Sequence, residues 1–262
     1  MNEAKIDYAA SGGIARLTLN QPAKLNAISF DMWTSLPELV ARAAADDAVR
    51  AVVVEGQGAR AFCSGADISQ FGETRSGPDA ADAYERAVTG ALSAVASCPK
   101  PTLARIRGIC FGGGLALALS CDLRLASETS RFCLPAAKLG LGYAYANVDF
   151  MTRRIGLAAA ADILFTARTF DGREAQRLGI ATNIWSEADF DAESEAILAR
   201  IAANAPLTLK AMALSLRELQ KPESARNASS ANAAVAACFA SEDYAEGRSA
   251  FAEKRTPVFR GM

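Results

Sequence analysis

The chain has 262 residues, 51% of them hydrophobic, with 28 lysines and arginines against 29 aspartates and glutamates for a formal net charge of −1. That length and apolar content supply the core of one large domain and exclude a disordered chain, while the balanced charge leaves no electrostatic footprint for nucleic acid or for an anionic membrane surface. There are no histidines, so Ser-His-Asp and Cys-His nucleophile activation and every imidazole metal site are excluded, and acid–base chemistry falls to carboxylates, Tyr, Lys, Cys, backbone groups or the substrate.

The opening "MNEAKIDYAA" lacks the basic start and apolar centre of a secretory signal and reads as the beginning of folded structure. "IARLTL", Ile14 to Leu19, alternates apolar and polar residues between turn signals, as a half-buried strand does. Ser29 can cap the next helix, but Pro37 falls inside it: either the helix kinks there, or its regular part begins near Thr34. "VRAVVVEG" is a β-branched run that fits a strand buried on both faces. A polar, glycine-containing loop, "QGARAFCSGADI", follows.

The alanine-rich segment from Asp79 to Ser97, with Pro99 and Pro101 beyond it, reads as a helix. "TLARIRGIC" resumes strand character, three glycines open a short helix, and "LRLAS" gives another strand. Strand, glycine loop, helix, strand is a βα or ββα repeat, so the fold class is α/β. Beyond Phe150 the character turns helical, with turn signals at Asp171-Gly172 and Leu178-Gly179, and from Asp189 onward the chain reads almost wholly as helix. The uncharged run between Arg107 and Asp122 is too short and too rich in glycine to span a bilayer. Six cysteines without a CxxC pair read as reduced, mostly buried thiols of a soluble cytoplasmic protein.

Two glycine loops follow strands: "AFCSGADI" and "GICFGGGLA". A run such as Gly112 to Gly114 serves either close backbone packing or an anion site at a helix N-terminus, where unpaired N–H groups and the aligned dipole favour negative charge. Its spacing is neither GxGxxG nor a Walker loop. With "LNQPAKLNAIS", "PTLARIRGICFGGGLALALSCDLRLAS", "FCLPAAKLGLG", "FTARTFDGREAQRLGIATNI" and the C-terminal "FAEKR", the chain resembles the crotonase superfamily of enoyl-CoA hydratases and isomerases over most of its length.

The resemblance implies a ββα-spiral core carrying an acyl-CoA site over residues 1–200 and a C-terminal helical oligomerisation region over 201–262, in a homotrimer or a dimer of trimers. It implies an acyl-CoA thioester as substrate, no other cofactor, and no nucleic-acid or membrane partner. The family's two oxyanion donors map onto the backbone N–H groups of Ala66 and Gly113. For the coenzyme A end, the resemblance assigns the carbonyls of Ser64 and Ala66 to the adenine amino group, Lys24 to the phosphates, and Phe251 and Lys254 to the adenine and phosphate end, from a neighbouring subunit. Gly65, Asp67, Ile68 and Gly112 complete that segment, with Asp67 also suited to fixing its loop through side-chain hydrogen bonds.

The chemistry departs from the family at two positions. The two glutamates that hold and deliver water in hydratases map onto Ala116 and Ala136, and alanine neither takes nor gives a proton. Nearby replacements in sequence are Lys138, Tyr143, Tyr145 and Asp149, and Tyr143 resembles a tyrosine of the methylmalonyl-CoA decarboxylase branch, although the histidine of that branch is Ala66 here. Three readings follow: an acyl-CoA lyase or isomerase with non-standard proton transfer, a decarboxylase of malonyl- or methylmalonyl-type thioesters, or an acyl-CoA-binding protein without catalysis. Cys63 and Cys110, on apolar strand ends, read as core.

Overall fold

The computed structural model describes residues 5–70, 72 and 77–262. β1 (Lys5–Ser11) and β2 (Ile14–Asn20) form an antiparallel pair, so all but the first four residues of "MNEAKIDYAA" are placed, and those four lie outside the described residues. α1 (Phe30–Ala45) begins at Ser29, whose hydroxyl accepts from Met32 N, and it contains Pro37; the cap therefore sets the start, and the proline sits within the helix.

β3 (Ala51–Gly56) is parallel to both β2 and β5 (Thr102–Ile106). Its period-2 alternation serves two cores. Val52 and Val54 join the main core with Trp33 and Leu36, while Ala51 and Val53 pack with Leu103, Leu125 and Leu198. Leu198 comes from α7 (Phe190–Ala202), which covers the outer face.

β4 (Ala61–Cys63) and α2 (Pro78–Ser97) complete the first ββα unit. The second is β5, β6 (Ile109–Phe111) and α3 (Gly113–Ser120), and the third starts with β7 (Leu123–Ser127) and β8 (Arg131–Cys133) and continues into α4 (Tyr145–Ile155) and α5 (Leu157–Thr166). β9 (Phe170–Asp171), α6 (Gly172–Arg177) and β10 (Asn183–Trp185) follow, two short strands in a region read from sequence as helical. One sheet runs β1-β2-β3-β5-β7-β10 and the other β4-β6-β8-β9. The first strand of each unit enters the first sheet and the second strand enters the other.

The run "TLARIRGIC" is therefore two strands in two sheets. The turn between them falls at Gly108, where φ is +70° and a Cβ would lie 2.1 Å from the carbonyl oxygen of Arg60; only glycine lets the chain change sheets against that carbonyl. "AFC", read as part of a loop, is likewise a buried strand.

The C-terminal part comprises α8 (Pro206–Gln220), α9 (Ala228–Phe239) and α10 (Glu242–Glu253). Buried Arg217 on α8 makes a two-pronged pair with Asp122, 3.0 and 2.9 Å to its two oxygens, and Asp122 also accepts from Thr102 N. This fork ties the helical region to the end of α3. Among the described residues no single helix is long and apolar enough to cross a membrane.

Candidate active site

The 64–67 loop is strapped to the 25–28 turn. Ser64 N donates to Leu25 O (3.0 Å), Ile28 N to Gly65 O (2.8 Å) and Asp67 N to Ile28 O (2.9 Å). Leu25 and Asn26 both take φ of 55°, and buried Asn26 uses its amide to donate to Ala61 O at 2.7 Å and Gln57 O at 3.1 Å while accepting from Gln21 N. Short polar side chains tolerate the left-handed region better than most. Asn26 thus aligns the loop by filling the gap between two backbones, a role that the sequence motif contained but did not explain.

These contacts use the Gly65 carbonyl and the Asp67 N–H on either side of Ala66, and among the described residues they leave its own N–H without a backbone partner; the Gly113 N–H, first of α3, likewise has none there. A Cβ on Gly113 would lie 3.6 Å from Ala66 N, and one on Gly65 3.5 Å from Gly113 N, so the two amides stand side by side. Both open into a cavity of about 530 Å³ whose lining includes Trp33, Ala116, Leu134, Ala136 and Tyr143. Ser64, Gly65, Ile68 and Gly112 also reach it, Ile68 at the mouth with 70% of its surface exposed. A smaller void of about 20 Å³ lies behind Ala116, among Leu92, Leu119, Phe150 and Met151.

Asp67 fixes the loop. It is buried, pairs with Lys24 Nζ at 2.7 Å, and accepts from Ser69 N (3.2 Å) and Ser69 Oγ (2.6 Å). Burial pushes its carboxyl up, but the bonds from Lys24 and Ser69 outweigh that and hold it below the usual range. Lys24 also donates to Ser69 Oγ, so of its three ammonium donors one remains for an anion.

Of the replacements considered in sequence, the cavity takes only Tyr143. Tyr145 is 85% exposed and not part of the lining, Lys138 is exposed outside it, and Asp149 pairs with Arg153 on α4. Burial first, and the nearby Glu85 charge second, push the Tyr143 phenol up to about 12, so at neutral pH it is a hydrogen-bond donor and not a base. Burial also pushes the Cys63 thiol up to about 12 and the Cys110 thiol well above its ordinary value, in keeping with core cysteines.

Glu85, on α2, lines the cavity and was not among the residues considered in sequence. Asn147 of α4 donates to one of its oxygens at 3.3 Å. Nothing local marks this glutamate, which reads as one polar position of an amphipathic helix. Phe251 and Lys254 are not brought to the cavity within one chain. Phe251, 86% exposed, lines a separate apolar groove of about 980 Å³ with Met212, Leu216, Phe239 and Tyr244, and Lys254 closes the end of α10.

Two sheets fed alternately by successive ββα units, with helices packed outside and an apolar cavity beneath two free amides, define the crotonase fold. The enoyl-CoA hydratase/isomerase family model matches residues 9–262, and the chain belongs to that family of acyl-CoA enzymes. It is similar to the crystal structure of an enoyl-CoA hydratase/carnithine racemase from Magnetospirillum magneticum (36% identity, TM-score 0.91, 98% of this chain and 96% of that one). Among curated relatives it is 32% identical to the probable enoyl-CoA hydratase of Bacillus subtilis strain 168, over 98% of each chain, and 28% identical to the short-chain-enoyl-CoA hydratase of Clostridium acetobutylicum, over 93% of each.

Proposed function

We propose that the chain binds an acyl-CoA thioester with its carbonyl oxygen between the N–H groups of Ala66 and Gly113, and catalyses a reaction through the thioester enolate without two-glutamate hydration. The observation that carries this reading is the pair of free amides opening onto a cavity whose lining includes Ala116 and Ala136, the positions to which the resemblance assigns the hydratase glutamates. Donors aimed at a growing oxyanion are worth about 3–4 kcal/mol each in other systems, so the hole can supply much of a rate enhancement unaided.

Lys24 serves the phosphates and the carbonyls of Ser64 and Ala66 the adenine. Phe251 and Lys254 complete that end from a neighbouring subunit of a trimer built through residues 201–262. The thioester is the only coenzyme involved, and the enzyme works in the cytoplasm. The test is a panel of acyl-CoAs incubated with the protein and followed by mass spectrometry: at least one is turned over while crotonyl-CoA is hydrated poorly. Hydration of crotonyl-CoA at ordinary enzyme rates overturns the mechanistic part.

A second reading, decarboxylation of malonyl- or methylmalonyl-type thioesters, is favoured by Tyr143, a protonated phenol in the cavity. Loss of carbon dioxide itself generates the enolate and needs no base. That reading expects carbon dioxide release and its loss in Tyr143→Phe.

A further inference from the structure

An enolate formed without loss of carbon dioxide needs a group that takes a proton from carbon. Tyr143 and Cys63 hold their protons at neutral pH, and Cys63 does not line the cavity. Glu85 is the one carboxylate in the lining among the described residues. It stands on the face of α2 that also supplies Val88 and Leu92 to the same cavity, the i, i+3, i+7 spacing that puts side chains on one helical stripe. Asn147 Nδ2 holds one of its oxygens, and the other has no partner among the described residues. A carboxylate fixed at one oxygen and open at the other is arranged to accept a proton from a bound molecule.

We infer that Glu85 is the proton carrier for the carbon next to the thioester, oriented by Asn147 in the same cavity that Ala66 and Gly113 line. This rests on the acyl-CoA reading of the cavity. In the step, the Cα–H bond breaks and an O–H bond forms on Glu85, and the electron pair of the broken bond passes into the thioester carbonyl to give the enolate. Return of the proton to carbon restores both partners, so nothing else is consumed. The carboxylate comes from α2, not from the α3 position of Ala116 or the turn that bears Ala136 (Pro135–Leu139).

The full chain, incubated with butyryl-CoA in D₂O, reports the step directly: protonated Glu85 exchanges with solvent, and deuterium enters at Cα as a mass increase. Binding of butyryl-CoA is measured in parallel by calorimetry. The wild type exchanges; Glu85→Gln, an isosteric change at an exposed position, lowers the exchange rate by about 10²–10⁴-fold with the Kd within a few-fold; Glu85→Asp keeps part of the rate. Exchange that persists unchanged in Glu85→Gln overturns the assignment. So does a wild type that binds butyryl-CoA and never exchanges, while the acyl-CoA reading survives that result. Failure to bind any acyl-CoA overturns the acyl-CoA reading itself, and the assignment with it.

Discussion

At position 114 a Cβ would stand 2.6 Å from both the Cβ and the carbonyl oxygen of Cys63, so α3 can lie on β4 only if that residue has no side chain. The third glycine of "GICFGGGLA" therefore serves packing, while Gly113 beside it presents the amide to which the proposed function assigns the thioester oxygen. Gly114→Ala has to push backbone, and the expected loss is about 1–3 kcal/mol, read as a lowered urea midpoint at unchanged m-value. Asp67 has its folded-state pKa depressed by Lys24 and Ser69. A depressed carboxyl contributes stability that is present above its unfolded value and is lost as pH falls through the folded one, which places the window below about pH 4. Urea midpoints at pH 7 and pH 3 check this: the wild type falls between them by more than Asp67→Asn, and the variant is the less stable of the two at pH 7.

On the scale of elements, the pattern of apolar residues locates β2, β3 and α2 because each is long enough, or β-branched enough, to carry its own period, while α3 is marked by the glycines that open it. It does not separate β5 from β6, since the residues on both sides of Gly108 are apolar and the change of sheet is forced by the Arg60 carbonyl, a contact 48 positions away. Nor does it find β9 and β10, of two and three residues, which exist only as additions to strands already present. The Ala66 and Gly113 amides, proposed to hold the thioester oxygen, were legible because their residues sit in loops with a motif. Glu85 and Asn26 were not, as one belongs to an ordinary helix face and the other acts on backbone 31 and 35 residues away. Replacing Asn26 by alanine strands the Ala61 and Gln57 carbonyls beneath the loop; a loss of about 1–3 kcal/mol is expected, together with weaker acyl-CoA binding by calorimetry, because the strap that aims the Ala66 N–H loosens. An unchanged Kd would show that the loop holds its shape without it.

At the scale of the molecule, the cavity beneath the amides and the groove among α8, α9 and α10 are separate concave apolar regions with no residue in common among the described residues. In the groove Met212, Leu216, Phe239 and Phe251 expose 59, 53, 63 and 86% of their surfaces, a contiguous patch of the kind that marks a protein interface. If neighbouring chains meet there, Phe251 and Lys254 of one chain reach the nucleotide end of another, and assembly and coenzyme recognition become linked. Met212→Glu with Leu216→Glu, both at exposed positions, introduces carboxylates into that contact without touching the core. Light scattering is expected to move from a trimer or hexamer to a monomer with the far-ultraviolet circular dichroism retained. The monomer should bind an acyl-CoA at least tenfold more weakly, while a short thioester lacking the nucleotide binds both forms alike, because the amides, Tyr143 and Glu85 all come from one chain. Equal loss for both thioesters would place the damage in the cavity and separate assembly from coenzyme recognition.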